Sequence, residues 1–151
     1  MGTTTFTGPV KAGGILNTSG STVGTDIANV GYVVMAQTAV IDIAGATATT
    51  TIGYVPAGSK ILYAVLNATT ANDDGTASTC AIGTAAATTA FLAATSVQSA
   101  GVTLSGAMTA ASTDVGTTDV QVVATFTATD GDGTAGVADA TIVYLQAVNL
   151  V

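Results

Sequence analysis

The sequence contains no histidine, tryptophan, arginine or glutamate, and its cations are Lys11 and Lys60. Without histidine, the Ser-His and Cys-His arrangements of nucleophilic catalysis cannot form, and acid–base chemistry near neutral pH has few groups to use. Two lysines against nine aspartates, a net charge of −7, also exclude a surface that displaces counterions from nucleic acid. The same shortage argues against recruitment to anionic membranes. We therefore expect a non-enzymatic protein that takes no cofactor and binds neither nucleic acid nor membrane.

Long apolar runs and paired cysteines are missing as well. Small or polar residues interrupt every apolar run within a few positions, so no segment reaches the roughly 20 residues of a membrane span. The N-terminus lacks the basic and apolar regions of a secretory signal. The single cysteine, Cys80, cannot form an internal disulfide, and its neighbours are typical of a strand. With no cation close in sequence, we expect Cys80 to be a small buried apolar residue.

Threonine, alanine and glycine dominate what is present, at 77 of 151 positions. Thr and Val are branched at Cβ, which disfavours helices and suits a pleated sheet, while frequent Gly weakens helix interiors. Small side chains bury little apolar area each, so we expect additional burial between subunits. Because few charged residues are available to protect strand edges, we also expect a partner to cover much of the surface.

The chain alternates between strand patterns and turn clusters at spacings near ten residues. About eight strands at this spacing predict an antiparallel β-sandwich or barrel, and a jelly roll fits the count. The segment 85–94 is the one place where an alanine-rich composition allows a short helix, anchored by Phe91 and Leu92. The predicted strand segments are 31–44, which holds one or two strands, 49–55, 60–69, 78–83, 102–108, 119–129 and 138–148.

Segment 60–69 carries the clearest strand pattern. Strict alternation puts Ile61, Tyr63 and Val65 on one face and Leu62, Ala64 and Leu66 on the other. Because both faces are apolar, we expect the strand to be central or sandwiched. We expect all three of the following tyrosines to be core or sheet-edge residues and not a binding platform: Tyr54, Tyr63 and Tyr144.

Two acidic turn clusters follow strands. Asn72-Asp73-Asp74-Gly75 predicts a hairpin between the strands at 60–69 and 78–83, with the two aspartates in ordinary turn roles. The loop 130–136 predicts a tight reversal between the last two strands. Its carboxylates, Asp130 and Asp132, are weak candidates for a Ca²⁺ site, because the loop lacks the third ligand and the bidentate Glu of an EF-hand.

Residues 1–30 hold few large apolar side chains and many Gly, Thr and Ser. We interpret this segment as an extended N-terminal arm that lies on a partner surface, with residues 31–151 forming the sandwich domain. The arm residues expected to contact the partner are Thr5, Phe6, Pro9, Val10, Ile15 and Leu16.

Several segments together resemble small structural proteins of tailed bacteriophages. The residues that carry the resemblance lie at 54–84, which runs Pro-Ala-Gly, strand, acidic turn and a strand ending in Ile-Gly-Thr, and at 4–14, 91–101 and 120–144. The resemblance implies a jelly-roll-like sandwich that decorates or cements the outer surface of a phage head, often as a trimer. The near absence of basic residues departs from that family and speaks against a salt-bridged grip on an acidic capsid.

The sequence thus predicts a virion structural protein on the outer capsid surface, a decoration or cement protein. Its expected partners are the major capsid protein or other virion proteins and further copies of itself, as a homo-oligomer that the resemblance implies to be a trimer. Two alternatives remain open: a phage tail, fibre or knob component, and a surface-exposed adhesive or filament subunit that donates its arm as an edge strand.

Overall fold

The structure is a computed structural model that describes residues 32–74, 77–109, 113–130 and 133–147. Within the described residues, one compact unit runs from Val34 to Gln146. The predicted arm, residues 1–30, lies outside the described residues, so both the arm and the domain boundary at 30/31 stay predictions.

Eight β-strands make up the described fold, in agreement with the roughly eight that the spacing predicted, although segment 31–44 holds one strand and the strand at Leu92–Ser96 was not predicted. Their ends agree with the predicted segments to within a few residues, except in the stretch around 85–96. The strands are β1 Tyr32–Asp42, β2 Ala48–Val55, β3 Lys60–Thr70, β4 Thr79–Gly83, β5 Leu92–Ser96, β6 Gly101–Leu104, β7 Val120–Thr127 and β8 Val137–Ala147.

The strands form two four-stranded antiparallel sheets, ordered β1-β8-β3-β6 and β2-β7-β4-β5. Neighbouring pairs therefore include β1 with β8, β2 with β7, β3 with β6 and β4 with β5, as when one long hairpin is rolled up on itself. This is the strand order of an eight-stranded jelly roll. The all-β, antiparallel sandwich predicted from the sequence is confirmed.

The two predicted hairpins at the acidic turns are wrong. β3 pairs with β8 and β6 in one sheet, whereas β4 pairs with β5 and β7 in the other. The segments after β3 and after β7 are consequently crossings between sheets and not tight reversals within one. The reason is long-range: β3 pairs with β8 and β7 pairs with β2 and β4, all distant in the chain, and turn chemistry does not encode such partners.

The short helix allowed for 85–94 is also wrong. Residues 84–91 form the turn-rich connection of the β4–β5 hairpin, and Leu92 already begins β5. Phe91 and Leu92 are buried in the core, so they act as anchors of the connection and strand instead. Tertiary burial of two adjacent large side chains outweighs the helix preference of the alanines.

A bulge changes which side chains of β3 face inward. The register of β3 against β8 shifts between Ile61 and Tyr63, and the burial pattern then reads Ile61, Ala64, Leu66 and Ala68 inward. The strict alternation predicted for this strand therefore holds only after the bulge. β3 is an internal strand, as expected, but Tyr63 is 40% exposed on the outer face.

The core lies between the sheets and is built largely from Ile, Val and Ala. Both sheets contribute alternate side chains, as expected for two aligned sheets packed face to face. Its largest fully buried members are Tyr144, Phe126, Ile41, Ile43, Leu66, Ile82, Ile142, Val55, Val97 and Val122.

Candidate interaction surfaces

The connections β1–β2, β3–β4, β5–β6 and β7–β8 meet at one end of the sandwich, here the four-loop end. Asn72 ties them together: its side-chain amide donates to Ile43 O at 2.6 Å, and its backbone N–H donates to Val97 O at 2.9 Å. Its Oδ1 also accepts from the Asp74 N–H at 3.1 Å. Because Asn72 is buried, these bonds satisfy groups that would otherwise be costly to desolvate.

Asp73 is exposed and holds the β7–β8 connection. Its carboxylate accepts three hydrogen bonds, from Thr134 N at 2.7 Å, Thr134 Oγ1 at 2.8 Å and Ala135 N at 2.8 Å. These bonds, the one from Ala135 N–H first among them, lower the pKa of Asp73 below its ordinary value of 3.8. Asp73 therefore does more than stabilise its own turn, because it joins the β3–β4 connection to the β7–β8 connection.

Asp74 is buried next to it and links two further segments. Its Oδ2 accepts from Ser78 Oγ at 3.1 Å, and its backbone carbonyl accepts from the Gln98 side chain at 2.9 Å. The acidic turn therefore organises the four-loop end by internal hydrogen bonds. The hydrogen bonds described for this turn are made within the chain, so the turn stabilises the connections between strands.

The opposite end is held by charge and backbone contacts. Lys60 Nζ lies 2.7 Å from Asp114 Oδ2, and this ion pair together with the Gly116 N–H lowers the pKa of Asp114. Both partners are about half exposed, so the pair adds little stability on its own. Asp119 accepts from the Ala57 N–H at 2.9 Å, which joins the β2–β3 connection to the start of β7.

The outer face of the β2-β7-β4-β5 sheet is polar, and we call it the threonine face. Thr49 and Thr125 hydroxyls lie 3.4 Å apart across the strands, and Gln121 Nε2 donates to Thr51 Oγ1 at 2.9 Å. Tyr54 stands opposite Gln121 in register and is 59% exposed. Hydroxyl and amide groups on this face remain available to water.

The outer face of the β1-β8-β3-β6 sheet has the opposite character, and we call it the apolar face. Val65 lies opposite Leu104, and Asn67 lies opposite Val102. Because Ala64, Leu66 and Ala68 point into the core, these four side chains lie on the outer face of the sheet. The exposed large side chains here are Val34, Val40, Tyr63, Val102 and Leu104. Leu104 and Val102 are 61% and 64% exposed.

Carboxylates lie near one end of the apolar face. Asp139 is opposite Asn67 in the register of β8 and β3, toward the four-loop end, and Asp42 ends β1 at the same side. Next to Asp42, a groove of about 480 Å³ is lined by Val40, Ala135, Val137 and neighbouring residues. Asp139 thus shares a cross-strand row with Asn67 and Val102. The next row holds Thr141, whose hydroxyl lies 2.8 Å from the Thr38 hydroxyl, beside Val65 and Leu104.

Cys80 lies in the core with no exposed surface, as predicted. Burial raises the pKa of its thiol to about 11. The thiol is therefore protonated at neutral pH, and Cys80 packs as an apolar side chain.

The remaining predicted positions divide into those the structure describes and those it does not. All six arm residues, Thr5, Phe6, Pro9, Val10, Ile15 and Leu16, and Asp132 lie outside the described residues. Asp130 is exposed after β7. Within the described ranges, no three metal-ligating side chains come together, and no helix is long and apolar enough to cross a bilayer. Binding by the arm stays a prediction.

The three tyrosines occupy three different environments. Tyr144 is buried in the core, and Tyr54 is on β2, an edge strand, as expected for both. Tyr63 departs from the prediction, because it lies on an internal strand with its ring on the apolar face. The sequence signal that could have found this face is the apolar character of both sides of segment 60–69.

The fold is similar to chains in two solved phage capsids. A chain of the acidic stable capsid of Helicobacter pylori bacteriophage KHP30 has a TM-score of 0.58 at 12% identity, over 76% of this chain and 88% of that one. A chain of the cyanophage Pam1 capsid asymmetric unit has a TM-score of 0.55 at 15% identity, over 93% of this chain and 99% of that one. At such identities the likeness shows a common fold.

No family model and no curated protein matches the sequence. The two chains described above belong to phage capsid structures, in agreement with the resemblance to phage structural proteins.

Proposed function

We propose that this chain is a non-enzymatic structural protein of a bacteriophage virion that decorates and cements the outer surface of the head. The observation that carries the proposal is the shared fold, which covers 88% and 99% of the two capsid chains. The likeness thus extends over nearly the whole of those two chains. Fold alone does not assign a role, so the surface must supply the rest of the argument.

The different character of the two outer faces supports a protein that exposes one sheet to solvent and covers the other with a partner. The threonine face offers hydroxyls to water, whereas the apolar face exposes Val, Leu and Tyr side chains. Contiguous apolar patches of more than a few hundred Å² are rare on monomers and mark interaction sites. With two cations in the whole sequence, a salt-bridged grip on an acidic partner surface is disfavoured, and the proposal places the contact on apolar packing and backbone pairing.

The predicted arm supplies the attachment. A fully extended segment of 30 residues spans about 100 Å, enough to cross neighbouring shell subunits. Phe6, Val10, Ile15 and Leu16 are the large apolar side chains that anchor it in this proposal. Ordering the arm costs conformational entropy, which the backbone pairing and apolar contacts on the shell must exceed.

Copy number in purified particles tests the location. We expect hundreds of copies per virion, located outside the shell in a particle map. A handful of copies would contradict decoration and support a tail, fibre or knob component. Absence from particles would support the adhesive or filament subunit instead.

Removal of residues 2–28 tests the arm. We expect the truncated protein to keep its β-sandwich by circular dichroism and to lose attachment to particles that lack the wild-type protein. A matched variant with Phe6, Val10, Ile15 and Leu16 all changed to Ser keeps the length of the arm and should lose attachment as well. Unchanged occupancy with both variants would refute the role of the arm.

A further inference from the structure

We propose that two copies of this chain associate edge to edge, by antiparallel pairing of their β1 strands about a two-fold axis at Gln37. The pairing joins the β1-β8-β3-β6 sheets of the two copies into one continuous sheet. The inference does not rest on the proposed virion role. It also differs from the trimer that the resemblance implies, because a two-fold contact that pairs one edge of each copy gives a dimer.

The four edge strands of the described sheets differ in how well they can accept another strand. β1 is the longest, with 11 residues, and it carries no proline and no charge before Asp42. β5 and β6 have 5 and 4 residues, and on β5 the Thr95 hydroxyl donates to Ala93 O at 3.0 Å. On β2, Tyr54 O accepts from the Gln37 side chain. Long, uncharged edges pair with other chains, so β1 is the edge that we expect to be covered.

The apolar side chains of β1 are exposed on both sides of the strand. Alternation from the buried Ile41 puts odd-numbered positions on the core side, where Met35 is nevertheless 39% exposed. On the outer side, Val34 and Val40 are 61% and 67% exposed. A strand added to the free edge would cover part of each of these side chains.

The sequence of β1 is nearly symmetric about Gln37, and this symmetry selects a second copy as the added strand. Residues at equal distances from Gln37 match in apolar character or in small size: Val33 and Ile41, Val34 and Val40, Met35 and Ala39, and Ala36 and Thr38. In an antiparallel pair centred on Gln37, each residue lies opposite its counterpart and on the same side of the sheet. Val34 of each copy then contacts Val40 of the partner subunit, so the contact occurs twice.

The centre of β1 presents backbone to the partner. The Gln37 side chain points between the sheets, where its Nε2 donates to Tyr54 O at 2.8 Å and to the Tyr144 hydroxyl at 2.9 Å. It therefore does not obstruct a strand that approaches the edge. Antiparallel pairing over positions 33–41 forms about nine backbone hydrogen bonds, or about one per residue pair.

The carboxylates of the sheet stay apart in this arrangement. The two copies of Asp42 lie at opposite ends of the paired strands, about 34 Å from each other. The Thr38 and Thr141 hydroxyls are 2.8 Å apart, so Asp139, two residues before Thr141, lies one strand in from Val40. The two copies of Asp139 are then offset by about 20 Å along the strands. Both separations exceed the Debye length of about 8 Å at physiological salt, so the acidic chains can pair.

Two valines on opposite edges of the same sheet provide a matched test. Val34→Glu places a carboxylate on β1, and Val102→Glu places one on β6, at side chains that are 61% and 64% exposed. Both variants carry the same net charge, and circular dichroism checks the β-sheet signal of each. By sedimentation velocity over a concentration series, we expect the wild type and Val102→Glu to dimerise alike, and Val34→Glu to weaken dimerisation by at least about 10-fold.

A second substitution tests whether the loss arises at the contact. Val40→Lys added to Val34→Glu places opposite charges across the dimer, so the double variant should dimerise more tightly than Val34→Glu. A monomeric or trimeric wild type would overturn the proposal. So would equal dimerisation of Val34→Glu and Val102→Glu.

Cysteine cross-linking tests the register. Val34→Cys and Val40→Cys are prepared separately, and Cys80, which has no exposed surface, stays protected in the folded protein. In the proposed register, position 34 lies opposite position 40 of the other copy, whereas the two copies of either position are about 20 Å apart. We expect a short bis-maleimide to cross-link the mixture of the two variants and neither variant alone. Cross-linking of a single variant as efficient as that of the mixture, or an uncross-linked mixture, would refute the pairing.

Discussion

Gly53 and Gln37 make the most specific structural test of this fold, because their fit depends on two strands in different sheets. Gln37, on β1, points between the sheets and donates from Nε2 to Tyr54 O at 2.8 Å and to the Tyr144 hydroxyl at 2.9 Å. A Cβ on Gly53 would overlap Gln37 Oε1 and lie 2.8 Å from Gln37 Cδ. Gly53→Ala therefore displaces the Gln37 amide.

The magnitude follows from the bonds that are lost. Each neutral hydrogen bond contributes about 0.5–1.5 kcal/mol, and a buried hydroxyl left without a partner costs about 1–3 kcal/mol. Tyr144 is 2% exposed, so its hydroxyl cannot turn to water. Against this, Ala in place of Gly at a backbone conformation that Ala can adopt stabilises by about 0.4–1 kcal/mol. We expect Gly53→Ala to destabilise the wild type by about 1–3 kcal/mol.

A double-mutant cycle separates this effect from backbone strain. In a Gln37→Ala background the obstructing amide is gone, so Gly53→Ala should be neutral or stabilising, with a coupling energy of about 2 kcal/mol between the two sites. Equilibrium urea unfolding of the four proteins measures each free energy. An equal cost of Gly53→Ala in both backgrounds would refute the placement of Gln37 between the sheets.

Two further predictions concern the connections. A Cβ on Gly83 would overlap Ala87 O and lie 2.6 Å from Thr88 O, both backbone atoms, so Gly83→Ala should lower the unfolding free energy by about 1–3 kcal/mol. Gly106→Ala, at a site with open space around it, is the control, and equal urea midpoints for the two variants would contradict the packing of the β4–β5 connection. The lowered pKa of Asp73 stabilises the fold above the ordinary value of 3.8, and this contribution is lost as pH falls through the folded-state pKa. Asp73→Asn should therefore be less stable than the wild type at neutral pH, and the difference should narrow as the pH falls. Urea midpoints of both proteins, measured from neutral pH to pH 2, test this. A difference that is independent of pH would show that the carboxylate charge is not involved.

The candidate surface was only partly accessible to sequence reasoning. The apolar character of both sides of segment 60–69 indicated that something covers each side of β3, and the shortage of charge indicated a partner. Which exposed side chains share that surface depends on the register of β3 with β6 and β8 and on the bulge beside Ile61. The Asn72 and Asp73 hydrogen bonds join connections far apart in the chain, so turn chemistry could identify the residues but not their partners.

The sequence by itself determined the all-β class, the approximate ends of most strands, though not β5, the burial of Cys80 and the scarcity of cations. These follow from side-chain branching, alternation with period two, turn residues and charge, all of which act locally or by simple count. Only the tertiary structure decided which strands pair, that 84–91 closes a hairpin, and that Gly53 makes room for Gln37. Strand partners and contacts between sheets bring together residues distant in sequence, and their free energy depends on the whole packed arrangement and not on any one segment.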